Sequence, residues 1–224
     1  MADILVRRAA RLALLVATMV VLGLPSAGHA LGLGAELAWT TRWQQTRSAA
    51  HLGQEGTAGF TLVGSAAIGP KMRAEGLWRS FEESGTGPSK TQAETLEHQV
   101  GLGMAGRLVE RSWWSVEASG GVGASWRRLE LWQWVGSNGS ASWRGWSPYL
   151  EAGAALELGL PRSMTRDRYA LGVRLHLGWQ HVFGRGVDLQ VSGARPADVV
   201  DAPVALGTWS ISGPMTRFGF FARF

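Results

Sequence analysis

Residues 215–224 read Met215, Thr216, Arg217, Phe218, Gly219, Phe220, Phe221, Ala222, Arg223, Phe224. Counting back by twos, Phe224, Ala222, Phe220 and Phe218 are all apolar, whereas Arg223, Phe221, Gly219 and Arg217 are largely charged or small. Side chains alternate faces along a strand, so this stretch is a strand with one greasy and one charged face. The same period recurs upstream. Tyr169, Leu171, Val173, Leu175, Leu177 and Trp179 alternate with Ala170, Gly172, Arg174, His176, Gly178 and Gln180. Leu31 to Trp43 follows the same rule, with Leu33, Ala35, Leu37, Trp39, Thr41 and Trp43 on one face and Glu36 and Arg42 on the other. A period of two over such lengths argues strand rather than helix.

Composition agrees. Gly accounts for 31 of 224 residues, close to twice the average usage of roughly 7%, and Gly costs about 1 kcal/mol at a helix position. There is no Cys, so disulfides, thiolate metal sites and a lipidated cysteine are excluded. At the N-terminus, Arg7, Arg8 and Arg11 precede an apolar run from Leu12 to Leu24, and Gly28 and Ala30 stand at the −3 and −1 positions of a cleavage site. Residues 1–30 therefore read as a signal peptide, expected as a cleaved signal helix, and residues 31–224 as the mature domain. Of the net +5, the mature chain keeps +3, since the leader removes three arginines and one aspartate. That mild, scattered excess suits anionic lipid headgroups and gives no footprint for nucleic acid.

Five further spans complete the pattern. The second strand runs from about Thr57 to Ile68, with Ala58, Phe60, Leu62 and Ala66 apolar. The third is Met72 to Phe81, with Arg73, Glu75 and Arg79 facing inward. The fourth is Thr95 to Leu108, with Glu97, Gln99 and Arg107 inward. The fifth is Trp113 to Trp126, with Glu117, Ser119, Ser125 and Arg127 inward. The sixth is Trp146 to Leu160, with Glu151 and Glu157 inward. The seventh and eighth are those described above. Gly69-Pro70-Lys71 is a tight turn and Ser84–Lys90 a flexible loop. Residues Gly184 to Ser212 read as a long last loop, of which Val204 to Ile211 extends into the eighth strand as an alternative. Asn138-Gly139 favours a two-residue hairpin turn, so the fifth and sixth strands are expected to continue past the membrane as a hairpin. That turn pairs Trp134 with Trp143, a parity at odds with Trp126 and Trp146, so a bulge or a looser turn is expected there.

An apolar strand closing on Phe224 resembles the C-terminal assembly signal of bacterial outer-membrane β-barrels, carried here by Phe218, Phe220 and Phe224. Threading the eight strands up and down puts Trp39, Trp78, Trp126, Trp146 and Trp179 at one rim and Tyr169, Trp114, Phe220 and Phe224 at the other. Two aromatic girdles thus emerge from a threading chosen by polarity alone. The mature chain is similar in pattern to the small OmpA/OmpX-type barrels. The resemblance implies an all-β, antiparallel, up-and-down transmembrane β-barrel in the outer membrane of a Gram-negative bacterium. It also implies recognition by the outer-membrane assembly machinery and contact with outer-membrane lipids and lipopolysaccharide.

An eight-stranded barrel is narrow enough for side chains to fill. The expected lumen network comprises Glu36, Arg73, Glu75, Arg107, Glu117, Glu151, Glu157, Arg174, His176 and Arg217, with Arg42, Arg79, Glu97, Arg127 and Arg223 also inward. Buried charges must be paired, and Arg can bridge two carboxylates through its planar fork. The sixth–seventh connection, centred near position 164, is expected to set Glu151 opposite or diagonal to His176, with Arg174 close by. Arg128, Trp132, Trp134, Trp143 and Arg144 are candidate outer-loop contacts for sugars, lipopolysaccharide or a partner protein.

Lipid A deacylases and palmitoyltransferases are also eight-stranded barrels with catalytic histidines. Here His98 and His181 face outward, but no Ser lies two residues after His181, where Val182, Phe183 and Gly184 follow. The expectation is therefore a non-enzymatic barrel with a plugged ionic interior, acting in surface contact or envelope integrity, with no catalytic residue, cofactor or metal. A lipid A-modifying acyl hydrolase or transferase and a narrow ion or solute channel are the alternatives.

Overall fold

The computed structural model describes residues 32–43, 45–47, 56–86, 92–132, 140–160, 169–192 and 204–224. The expected leader, Trp134, the Asn138-Gly139 pair and the turn Pro161–Arg168 lie outside these residues. The strands are β1 (Leu33–Trp43), β2 (Gly56–Ala67), β3 (Met72–Thr86), β4 (Gln92–Glu110), β5 (Trp114–Trp132), β6 (Ser140–Gly159), β7 (Ala170–Ser192) and β8 (Val204–Arg223). They pair antiparallel in sequence order, and β8 returns to β1 to close the barrel, with Leu37 opposite Phe220 and Trp39 opposite Phe218. Phe224 N–H donates to the carbonyl of Leu33 at 2.8 Å, sealing the seam. A three-residue continuation of β1, Gln45–Arg47, stays on β8 against Ser210–Ser212.

The period of two is plain in the first and last strands. In β1, Glu36, Ala38, Thr40 and Arg42 are buried, while Leu37, Trp39 and Trp43 are exposed on the outside. In β8, Arg217 and Phe221 point inward and Phe218 and Phe220 outward, Phe220 being 65% exposed. Thus the strand that suggested the fold carries the faces its spacing predicts.

The fifth and sixth strands continue past the aromatic rim as a hairpin, as expected. β5 continues to Trp132 and β6 begins at Ser140, and the two pair without a break from Trp114↔Leu158 to Trp132↔Ser140. The seven residues between them, 133–139, lie outside the described part, and the described part of this hairpin needs no bulge. Trp126 lies opposite Trp146, in keeping with their shared parity. Most of the expected loop Gly184–Ser212 is also strand, since β7 reaches Ser192 and β8 starts at Val204. The described ladders are irregular elsewhere: at Arg107/Val109, between Ser142 and Tyr149 of β6, and at two places between β7 and β8.

Polarity inverts along the longer strands. Below Trp126 and Trp146 the outward residues are apolar, such as Val122 and Leu150. Beyond them, the inward residues Leu129, Leu131, Ala141 and Trp143 are buried and the outward ones are Arg128, Glu130 and Arg144. Strand parity is unchanged; only the surroundings of each face differ.

Candidate functional site

The charged interior divides into two clusters. The inner one is organised by Arg174 of β7. Its Nη1 lies 2.9 Å from Glu36 Oε2 and 3.0 Å from Glu75 Oε1, its Nη2 lies 3.3 Å from Glu117 Oε2, and its Nε lies 3.4 Å from Glu157 Oε1. Four carboxylates from β1, β3, β5 and β6 therefore converge on one guanidinium, which is 1% exposed. Arg73 supports three of them: Nε donates to Glu75 at 2.8 Å, both Nη atoms engage Glu117, and Nη2 stands 3.3 Å from Glu157. Arg217 Nε reaches Glu36 at 3.1 Å, and Arg223 grips Glu157 with both Nη atoms.

The outer cluster is built on Arg42 and Arg79. Arg42 donates to Glu97 at 2.5 Å and to Gln180 at 2.9 Å; Arg79 engages Glu151 with both Nη atoms. Gln99 Nε2 donates to Glu97 at 2.7 Å, and Gln180 Nε2 donates to Gln99 at 2.9 Å, so two amides relay between β4 and β7. Arg127 donates to Ser147 at 2.7 Å.

Between the clusters lie Tyr149 and His176. They fit because the facing residues are glycines. A Cβ on Gly123 would stand 2.6 Å from Tyr149 Cε1, and one on Gly153 would stand 2.7 Å from His176 Cε1. The expected Glu151–His176 pairing does not occur. The β6–β7 register sets Glu151 opposite Gln180, His176 opposite Ala155, and Glu157 opposite Arg174. The hairpin centre falls beyond position 164, and His176 Nε2 meets the Ser119 hydroxyl at 2.9 Å instead. Arg107 also departs from the expected network. It sits at the inner mouth beside the β4 irregularity, 24% exposed in its side chain, with Nη1 on Glu110 at 2.8 Å.

Above the ionic clusters the interior turns apolar. Leu129, Leu131, Ala141, Trp143, Val182 and Ile211 form one buried layer, with Phe81 stacked under Arg42 at 4.6 Å and Trp143 near Arg127 at 5.9 Å. Trp143 is thus a lumen residue, 8% exposed, and not an outer-loop contact. Past the point where the strand leaves the aromatic rim, the inward face is the one that shields apolar atoms from water. Among the other candidates, Arg144 is exposed outward, Arg128 is held by Glu130, and Trp132 is half-buried at the end of β5. Glu83, near the outer end of β3, accepts a 3.0 Å hydrogen bond from Thr57 Oγ1, and burial pushes its carboxyl above the ordinary range.

On the outer rim, His98 lies sandwiched between Trp78 and Trp126, with ring centroids at 6.0 and 5.6 Å. Two residues beyond Trp179, His181 Nδ1 shares a hydrogen bond with Ser212 Oγ, and its ring stands edge-on to Phe183. No local spacing could reveal that pair, because its members come from β7 and β8 and meet only through register, His181 opposite Ser212.

No family model matches the chain, and no curated protein matches it. Solved structures do. The attachment invasion locus protein Ail of Yersinia pestis superposes with a TM-score of 0.50 at 11% identity, covering 87% of this chain and 99% of that one. The same protein in complex with the heparin analogue sucrose octasulfate gives the same values. The outer membrane protein OprG from Pseudomonas aeruginosa gives 0.51 at 11% identity, covering 87% and 96%. At such identity the likeness is one of fold, and the fold is that of the small outer-membrane β-barrels.

Proposed function

We propose that the chain is an integral outer-membrane protein of a Gram-negative bacterium that acts through its surfaces, in surface contact or envelope integrity, and carries no current through its lumen. The observation behind this reading is the convergence of Glu36, Glu75, Glu117 and Glu157 on Arg174, beneath an apolar layer that includes Leu129, Trp143 and Ile211. Ions crossing this interior would have to displace paired charges and then enter a dry layer, each step being costly. Export by the leader 1–30 and recognition of Phe218, Phe220 and Phe224 by the assembly machinery belong to the same reading. At the outer end, Arg128, Trp132 and Arg144 suit lipopolysaccharide or other anionic sugars; Ail, of the same fold, takes a sulfated heparin analogue. Reconstitution in planar bilayers tests the closed interior. Silence is expected, and reproducible ion-selective steps that respond to substitution of Arg174 would overturn it.

A second reading has an observation of its own. The His181–Ser212 hydrogen bond pairs a base with a hydroxyl on the outward face, just beyond Trp179, where lipid ester bonds lie. It favours an acyl hydrolase acting on lipid A. Fatty acid released from lipid A by the refolded protein, and lost in Ser212→Ala, would establish that reading; no release would remove it.

A further inference from the structure

At the inner mouth, the turn Ile68–Met72 and the ends of β4, β5 and β8 enclose a cavity of about 100 Å³. Its charged and hydroxylic lining is Ser65, Lys71, Arg73, Arg107, Glu117 and Arg223. A water occupies ~30 Å³ in the liquid, so the space holds about three waters or one tetrahedral oxyanion.

The charge balance around it is uneven. The ion pairs that link Arg73, Arg107, Arg174, Arg217 and Arg223 join them to Glu36, Glu75, Glu110, Glu117 and Glu157, five against five. Among the described residues that line the cavity itself, the cations Lys71, Arg73, Arg107 and Arg223 face the single carboxylate of Glu117. Glu117, the one carboxylate in the lining, is already taken by both Nη atoms of Arg73. It stands 4.0 Å from Arg107 and from Arg223, too far for a hydrogen bond. Arg107 Nε is buried with no hydrogen-bond partner. The cavity is thus lined mainly by cations, with Lys71 at its lip, Arg107 beside it and the Ser65 side chain on its wall.

We propose that this cavity binds one singly charged phosphate group, contributed by the headgroup of an inner-leaflet phospholipid. Lys71 and Arg107 supply the charge and the donors, and a phosphodiester offers one negative charge to this mostly cationic lining. The source follows from the surroundings. Ile68 and Met72, on the outward face beside the lip, are 55% and 46% exposed, so the acyl chains can lie on that apolar wall while the headgroup folds into the mouth. The assignment to a lipid rests on the outer-membrane reading; the capacity for a phosphate group does not.

The test is native mass spectrometry of the refolded full chain in a phosphate-free maltoside detergent. Three probes are titrated: dioleoylphosphatidylglycerol, dioleoylglycerol with the same chains and no phosphate, and inorganic phosphate. The expected result is one phosphatidylglycerol per barrel, displaced by inorganic phosphate, and no retention of dioleoylglycerol. Lys71→Gln combined with Arg107→Gln should weaken retention at least about tenfold, the scale expected for charge-assisted contacts. Heat-modifiable migration checks that the double variant folds, and Lys71→Gln alone, on an exposed turn, serves if it does not. Dioleoylglycerol held as well as phosphatidylglycerol, or variants binding as tightly as the parent, overturns the site. Inorganic phosphate bound without phosphatidylglycerol keeps the site, overturns its assignment to a lipid, and leaves the membrane reading to the conductance experiment.

Discussion

Replacing Arg174 with alanine removes the cation on which four glutamates converge. The inner network then holds four arginines against five carboxylates. None of the four acids is abandoned: Glu36 keeps Arg217, Glu75 and Glu117 keep Arg73, and Glu157 keeps Arg73 and Arg223. The loss is therefore one unit of negative charge spread over a shared site, which belongs near the lower end of the cost of breaking a buried pair, about 3 kcal/mol. Arg174→Lys should recover only part of this, because an ammonium lacks the planar fork that spans Glu36 and Glu75. A double variant, Arg174→Met with Glu117→Gln, restores the balance at four against four and should be more stable than Arg174→Met alone. That comparison separates charge from packing. Urea unfolding in lipid vesicles, followed by tryptophan fluorescence, gives the free energies by linear extrapolation. An Arg174→Ala barrel as stable as the parent, or a double variant worse than the single one, would refute the view that charge balance holds the interior together.

Glu83→Gln should stabilise the barrel at neutral pH and matter little in acid. A carboxyl raised by burial adds stability that is complete below its unfolded pKa and is lost as pH rises through the folded one; the amide removes that loss, and unfolding at two pH values checks it. Gly123→Ala should destabilise by roughly 1–3 kcal/mol through overpacking against the Val100 carbonyl oxygen and the Tyr149 ring, and Tyr149→Phe should not relieve it, since the close atoms are that oxygen and ring carbon; denaturant midpoints of the two variants decide. Phe224→Ala should lower the amount of folded protein in the outer membrane, read as heat-modifiable migration and surface protease resistance. Unchanged levels would mean that the last strand is not an assembly signal here.

The two-faced strands were legible because lipid on one side and charge on the other impose a period of two that composition alone cannot hide. Parity alone therefore places Glu36, Arg73, Arg174 and Arg217 inward, where the structure has them. Trp143 was misread for a physical reason. Apolar means outward only while the strand is beside lipid; beyond the rim water lies outside, and Trp143 turns its apolar ring to the interior without any change of parity. Register was the other gap. Whether His176 meets Glu151 or Ser119 depends on how the connection between β6 and β7 is spent, and alternation within each strand carries no record of that. The His181–Ser212 pair was hidden likewise.

The seam between β1 and β8 has a kinetic meaning. Trp39 and Phe218 are opposite neighbours that come from the first and last strands of the barrel, so the contact that completes the ladder is among the slowest to be found. Until it forms, β1 offers an open row of amides and carbonyls, and each intermediate sheet has an edge with the same appetite for a stranger strand. A half-made barrel is consequently neither a smaller barrel nor a stable sheet. Synthesis can supply the strands one by one, but protection from mispairing arrives all at once, with the last of them.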